Sequence, residues 1–463
     1  MKKVKSSGRK LLVMLSVIVG IIAVFIAVVC VSLSDKDNEI KIFDKDLKLV
    51  ATIKENGDIG YAEGYNKHFD EYISVVVDEI TTHYSETAGV KYEQANKKFF
   101  RYAKEVYTNL DADVLLQIVE SYLSSDVADK ANFASVVTDV NGRILGLYGK
   151  GSEEQAYCLY KTYAGSAIKP LSVYAPAIES GRVHWSSAIK DEPFKTVTYS
   201  DGRSGPWPTN ANDKYTYENM LLVDALKKSI NTVAVKLLSD YSIKKSMSFL
   251  ESNFSIDLEY EKSLVSQYGE EEVLGNIALG YLYKGVSALD MAGFYQIFAN
   301  GGMYTKPYAV ISVKGEKGIS YETEPVTKRV LSAETSKIMV EMLKSVLHDG
   351  GTAKDAYVDG LEVAGKSGTS DNYKDNWFVG CTPDYVCSVW HSNIDKRSNI
   401  ADEIFGEIIG DLPTKECKFP LTMNVALVYY CKVTGLRKGN NCQRAETGYY
   451  YKANVPGLCN CGN

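Results

Sequence analysis

Histidine is scarce in this sequence, five among 463 residues. None of His68, His83, His184, His348 and His391 stands at a spacing from cysteine or aspartate that would build a catalytic triad or a metal site. The common histidine-dependent hydrolases therefore lack parts, the five side chains are expected in structural or surface roles, and neither a metal nor a cofactor is expected. Basic clusters are also missing beyond the extreme N-terminus. With a formal net charge of -6 the chain has no general attraction for nucleic acid, and none is expected as a partner. Internal repeats are absent, and no low-complexity linker occurs beyond a short acidic stretch after residue 34. What is present is an ordinary globular balance, 45% apolar and 24% charged, enough for one large core or two moderate ones.

The first positive signal is the apolar run Leu11 to Leu33. At 1.5 Å rise per residue it can cross a hydrocarbon core of about 30 Å. Lys2, Lys3, Lys5, Arg9 and Lys10 precede it, and Asp35, Asp37 and Glu39 follow, so the positive-inside bias puts the N-terminus in the cytoplasm and everything after Ser34 outside. A cleaved signal peptide fits less well, because the run exceeds the usual apolar core and Val29 to Leu33 offers no small-x-small exit. A lipoprotein site at Cys30 meets the same objection, with bulky Val29 ahead of it. Setting Cys30 aside leaves Cys158, Cys381, Cys387, Cys417, Cys431, Cys442, Cys459 and Cys461. An even number outside the cell permits disulfides, and these are expected within the C-terminal group. Zinc is the competing reading, but the spacing of Cys459 and Cys461, with no histidine nearby, does not complete a four-ligand pattern.

From Ser34 to about Lys130 the chain is charged and mainly helical in pattern, with helical spacing of apolar residues over Tyr72 to Ile80 and Leu115 to Leu123. At Phe133 the period changes. Ala134 to Val140 and Arg143 to Tyr148 read as strands joined by Asn141-Gly142, a strong hairpin signal. Helical patterns follow over Ala167 to Glu179, Tyr217 to Lys228, Thr232 to Asp240, Ala288 to Phe298 and Ser332 to Leu347. Strands return at Leu361 to Gly368, Asn376 to Cys381 and Tyr385 to His391. A chain that leaves a sheet, builds helices and comes back predicts an α/β domain with a central antiparallel sheet flanked by helices and a helical subdomain.

Three short elements carry chemistry. Ser166 and Lys169, three apart at the start of a helix, face the same way, so an amine of lowered pKa could take the hydroxyl proton, and the helix N-terminus presents N–H groups to an oxyanion. Alone this spacing is common on helix surfaces. Ser229-Ile230-Asn231, between two helical patterns, could relay a proton and hold a peptide carbonyl; equally it could be a helix cap. Lys366-Ser367-Gly368-Thr369 closes an apolar strand. There Gly368 would permit close approach of an extended peptide, Ser367 and Thr369 could bind a carboxylate, and Lys366 would add positive charge; a solvated turn is the plain alternative. In order, Ser-x-x-Lys, Ser-x-Asn and Lys-[Ser/Thr]-Gly are together specific where each is not.

On these residues the segment from about Phe133 onward resembles the transpeptidase half of class A penicillin-binding proteins. The resemblance extends to Trp207-Pro208 with Asn210, to Asn300-Gly301-Gly302-Met303-Tyr304 with Lys306-Pro307, and to Gly350-Gly351-Thr352-Ala353. It continues through Asp375-Asn376-Trp377-Phe378-Val379-Gly380 and Thr382-Pro383-Asp384-Tyr385. Upstream, Val106 to Asp111 with Gln117 is similar to the family's entry linker, and Tyr430-Cys431, Gly435-Leu436, Cys442 and Cys459 are similar to its tail. The family's glycosyltransferase signature does not occur between Ser34 and Val106. Ala164 stands where proline is usual, Ala167-Ile168 where Thr-Phe is usual, and Ser367 replaces threonine while keeping the hydroxyl.

The resemblance implies a penicillin-binding/β-lactamase-like fold and a serine D,D-transpeptidase, acting on peptidoglycan stem peptides that end in D-Ala-D-Ala and acylated by β-lactams. Carried over by position, Ser166 is the nucleophile, Lys169 the base, Ser229 and Lys366 the proton shuttle, and Asn231 a substrate-positioning group. Ser367, Gly368 and Thr369 form the substrate-binding strand, and the N–H groups of Ser166 and Thr369 the oxyanion hole. The expected organisation is a cytoplasmic tail over 1–10, an anchor over 11–33 in the cell membrane and a stalk over 34–130. The transpeptidase domain follows over 131–410, and a cysteine-rich extension over 411–463. A separate glycosyltransferase is the expected partner. A D,D-carboxypeptidase, a β-lactamase and a penicillin-binding sensor or scaffold are the alternatives.

Overall fold

The computed structural model describes residues 39–198, 202–394, 399–416 and 418–461. The tail and anchor expected over 1–33 lie outside these residues, as do Cys30 and Cys417. Among the described residues no helix is long and apolar enough to cross a membrane.

The expected central sheet is present, and all its neighbours are antiparallel. Its order is Ala364–Thr369, Asp375–Cys381, Tyr385–Ser392, Phe133–Asp139, Ile144–Lys150. Asn141-Gly142 closes the first hairpin with Gly142 at φ +88°, a conformation that costs glycine little. The three inner strands are buried along nearly their whole length because both faces are covered. Ser388 donates to the Ala288 carbonyl at the start of helix Ala288–Ala299. Phe378, one register position away on the other face, packs its ring 4.7 Å from that of Phe405 in helix Ala401–Asp411. Helix Ala288–Ala299 begins at a capping box between Ser287 and Asp290.

The segment 34–130 carries the two expected helices, Asp70–Ala88 and Ala112–Ser124, and a third over Tyr92–Tyr102. It also contains short strands that the helical pattern concealed. Ile40–Phe43, Leu49–Ile53, Ile59–Tyr61 and Ala103–Thr108 join Val310–Gly315 and Tyr321–Glu322 in a second, six-stranded sheet. The segment is thereby built into the body of the protein. Glu79 accepts from the Ala309 and Val310 N–H groups at 2.6 and 3.2 Å, and Tyr72 donates to the Ile144 carbonyl at 2.9 Å. Burial pushes the Glu79 carboxyl up to about 7.

The helix expected over Ala167 to Glu179 is wound differently. A 3₁₀ turn over Gly165–Ile168 passes into a π-helical turn over Pro170–Tyr174 and an α turn over Ala175–Glu179. Pro170 and Pro176 lack the N–H groups that an α-helix would give to the Ser166 and Ser172 carbonyls. Both are served otherwise: Ser166 O accepts from Lys169 N–H, and Ser172 O from the Ser246 hydroxyl at 2.5 Å. Ser246 belongs to helix Ile243–Phe254, one of several helices, with Glu259–Tyr268 and Leu274–Leu279, that the apolar pattern did not reveal.

The tail forms a hairpin of Val425–Cys431 with Ala445–Tyr451. The disulfides expected there are not formed among the described residues: Cys431, Cys442, Cys459 and Cys461 are free thiols gathered in one cluster. Their thiols meet as a group instead of pair by pair.

Candidate active site

Three chain segments meet at the candidate site, and two of them touch backbone to backbone because of glycines. A Cβ on Gly368 would lie 2.4 Å from Ala164 O and 2.8 Å from the Ala167 side chain. One on Gly165, at φ +53°, would lie 2.5 Å from Thr369 O. Gly368 was expected to admit substrate. In the structure it also seats the edge strand Ala364–Thr369 against the turn that carries Ser166. The Tyr295 hydroxyl donates to Ala167 O at 2.6 Å, and Trp377 Nε1 to Tyr163 O at 2.8 Å, holding that turn from the core.

The sequence-predicted side chains converge. Lys169 Nζ lies 2.8 Å from Ser229 O, 3.4 Å from Ser229 Oγ and 2.6 Å from Asn231 Oδ1. Lys366 Nζ lies 3.0 Å from Ser229 Oγ and 2.9 Å from Ser367 O. Ser229 Oγ thus bridges two amines, and its backbone sits at φ +58°, in the left-handed region. Ser166 is half-buried, and its Oγ makes no hydrogen bond among the described residues. Ser367 Oγ pairs with Thr352 Oγ1 at 2.6 Å, and Thr369 Oγ1 accepts from Asn399 Nδ2 at 3.4 Å.

Both lysines have 0% exposure, and every hydrogen-bond partner of their amines is neutral. Burial, and then the charge of Lys366, push Lys169 well below the ordinary lysine value. Burial brings Lys366 down to about 7. An ammonium in such a place loses its hydration without a counter-charge, so the neutral amine is favoured. Neutral Lys169 can give its two N–H bonds to Ser229 O and Asn231 Oδ1 and keep a lone pair free to accept a proton. The arrangement is suited to activating a hydroxyl nucleophile without histidine.

Some of the site's support was not legible as function. Asn231 is oriented by Asn210, whose Oδ1 accepts from the Asn231 N–H at 3.0 Å, while Asn231 Nδ2 donates to Thr209 O at 2.7 Å. Asn210 Nδ2 and Thr232 Oγ1 both donate to the buried carboxylate of Asp191, at 2.9 and 2.6 Å. Asn399 Nδ2 also reaches Gly368 O and Trp377 O, at 3.2 and 3.3 Å. Asp191 and Asn399 sit in stretches without a periodic signal, so only three-dimensional proximity identifies them. The predicted structural role of His391 holds: it is fully buried, its Nε2 accepts from Ile400 N–H at 3.3 Å, and burial lowers it to about 4.

Residues 133–410 match the penicillin binding protein transpeptidase domain. The chain is 31% identical over 332 residues to penicillin-binding protein 1A of Clostridium botulinum, covering 67% of this chain and 39% of that protein. It is 31% identical over 373 residues to penicillin-binding protein 4 of Bacillus subtilis, covering 75% and 56%. It thus spans well under two thirds of these relatives' length. Among solved structures, the D,D-transpeptidase domain of a peptidoglycan glycosyltransferase from Eggerthella lenta superposes with TM-score 0.60 at 18% identity, covering 81% of this chain and 97% of that one. Penicillin-binding protein 1A from Haemophilus influenzae gives 0.63 at 16% identity, covering 86% and 78%. The chain belongs to the penicillin-binding protein transpeptidase family.

Proposed function

We propose that the protein is a D,D-transpeptidase that cross-links peptidoglycan stem peptides through an acyl-enzyme on Ser166. The observation that carries this reading is the fully buried Lys169 amine, pushed well below the ordinary lysine value and hydrogen-bonded only to neutral oxygens of Ser229 and Asn231. Ser166 Oγ attacks the carbonyl carbon of the D-Ala-D-Ala amide while Lys169 takes its proton. The N–H groups of Ser166 and Thr369 stabilise the oxyanion. Collapse of the tetrahedral intermediate breaks the amide C–N bond, and the departing D-Ala amine receives a proton through Ser229, which bridges Lys169 and Lys366. The stem peptide lies along the free edge of Ala364–Thr369, its terminal carboxylate near Ser367, Thr369 and Lys366. A β-lactam acylates the same serine. Attack by an acceptor amine then forms the cross-link and frees Ser166. In the cell, the segment 11–33 anchors the chain in the membrane with the catalytic domain outside, and a separate glycosyltransferase supplies the glycan strands.

Incubation of the full chain with a stem pentapeptide ending in D-Ala-D-Ala and an amine acceptor tests this, with product masses as the readout. A peptide–acceptor adduct with release of one D-Ala supports transpeptidation. Tetrapeptide alone identifies a carboxypeptidase, and rapid penicillin turnover a β-lactamase. No acylation at all moves the protein to a sensor or scaffold role.

A further inference from the structure

The C-terminal hairpin brings together four thiols that sequence spacing did not group. Cys431 ends the strand Val425–Cys431, Cys442 lies in the turn before Ala445–Tyr451, and Cys459 and Cys461 lie two positions apart on the last described stretch. The sulfurs of Cys431, Cys459 and Cys461 all lie within 4.8 Å of one another; Cys442 packs in the same buried cluster, its thiol 3.7 Å from Arg444 O. The first three cysteines named in chain order are buried, and Cys461 is half-buried.

Two geometries compete for such a cluster. A disulfide needs an S–S distance of about 2.05 Å and joins sulfurs pairwise. A tetrahedral zinc with Zn–S bonds of about 2.3 Å places its four sulfurs on edges of about 3.8 Å around one point. The Cys431–Cys461 sulfur separation is 3.4 Å, and each of these sulfurs has more than one sulfur neighbour. That is the pattern of a shared centre.

The backbone around the thiols fits the same chemistry. The Gly439 N–H donates to Cys459 Sγ at 3.3 Å, and this approach requires glycine, since a Cβ at residue 439 would lie 2.3 Å from Cys459 O. Cys431 Sγ receives the backbone N–H groups of Val433 and Thr434 and the Thr434 side chain. N–H donors aimed at sulfur are the outer-shell partners that orient metal thiolates. Three strands of chain are laced around the cluster by backbone bonds, among them Cys431 N–H to Leu436 O, Arg437 N–H to Gly457 O and Cys459 N–H to Arg437 O, at 2.8 to 2.9 Å.

We infer that Cys431, Cys459 and Cys461, with Cys442 of the same buried cluster as the fourth ligand, form a structural Zn²⁺ site of four thiolates that ties the hairpin and the return stretch of the C-terminal extension to each other. Each thiol releases its proton to solvent on ligation, and no sulfur changes oxidation state. The fastened hairpin docks where the Ser229 loop is supported. Ser186 Oγ donates to Gly435 O at 2.5 Å and lies 2.5 Å from the Tyr450 hydroxyl, and Trp185 O and Ser187 O accept from the N–H groups that open helix Leu222–Lys227.

The test is metal analysis of the full 463-residue chain purified without reductant, in the presence of Zn²⁺ alone. The expected result is about one zinc per chain, released in proportion as a mercurial modifies the thiols, and lost in Cys459→Ser and in Cys461→Ser. Replacement by Co²⁺ should give the intense thiolate charge-transfer and tetrahedral d–d absorption bands, and chelation should lower Tm. Penicillin labelling of the same variants checks that they fold; if they do not, the wild-type zinc ratio and cobalt spectrum still decide. Absence of zinc together with disulfide-linked peptides from Cys431, Cys442, Cys459 or Cys461 on non-reducing mapping would overturn the site.

Discussion

Among the described residues lysine is buried in two places, which treat it oppositely. In the candidate active site Lys169 and Lys366 are fully buried, see only neutral oxygens and each other, and are both held below the ordinary lysine range. On helix Ala333–Lys344 the buried Lys337 lies 2.7 Å from the buried Glu341, and Lys344 reaches both Glu341 and Glu362, at 3.2 and 2.8 Å. For Lys344, burial acts downward, but the Glu362 and Glu341 carboxylates outweigh it and raise the amine above its ordinary value. Desolvation is common to both places. The counter-charge decides whether the amine becomes a proton acceptor or a fixed cation.

Removing the amine from the first place should have the largest effect. Lys169→Met keeps the volume and leaves no base, so acylation of Ser166 by penicillin should fall by about 10³-fold, read by stopped-flow labelling, while the fold is retained. Breaking the second place should do the reverse. Glu341→Gln leaves two ammonium groups without their shared carboxylate and should lower unfolding free energy by about 3 kcal/mol in denaturant titration, with acylation unchanged. Converting the first place into the second is the sharper test. Asn231→Asp puts a carboxylate at the 2.6 Å position beside Lys169 Nζ; it should raise the Lys169 pKa, move the acid limb of the acylation profile upward and slow acylation at neutral pH about tenfold.

The most gradual effect is on stability against pH. Lys366 has a folded value of about 7, below the unfolded value of about 10.4. Between these the unfolded chain binds more protons, so the cost of burying Lys366 is fully present below about pH 7 and is relieved as pH rises toward 10.4. The slope is at most about 1.4 kcal/mol per pH unit. Lys344, raised when folded, contributes stability that is fully present below its unfolded value and lost as pH rises through its folded one. Chemical denaturation of wild type and Lys366→Met across pH 7 to 10 should show the slope in the first and a flatter curve in the second.

The same contrast explains what the sequence made legible. Ser166, Lys169, Ser229, Asn231, Lys366 and Thr369 could be singled out by residue type and local spacing, and the structure brings the segments that carry them together. The central sheet was readable because its strands are apolar runs bounded by turn residues such as Asn141-Gly142. Support that depends on long-range proximity was not. Asp191 meets Asn210 and Thr232 across long stretches of chain, and the short strands of the second sheet find partners as far away as Val310–Gly315. The close approach of Gly368 to Ala164 and Ala167 is likewise a contact between distant segments. The winding at Ser166 followed from Pro170 and Pro176, yet the donors that replace their missing N–H groups, such as Ser246, appear only in three dimensions. The four C-terminal thiols failed as a spacing pattern for the same reason, since a hairpin and its return strand assemble them.

The proposed mechanism rests on a neutral Lys169 amine activating Ser166, and the most direct measurement is intact-mass detection of covalent penicillin labelling across pH 5 to 10, comparing wild type with Ser166→Ala. The account predicts a single adduct at Ser166, absent in the variant, whose formation is already fast at neutral pH because the acid limb lies well below the ordinary lysine value. No adduct on folded wild-type protein, an adduct that survives in Ser166→Ala, or a rate that climbs only near pH 10 would contradict it.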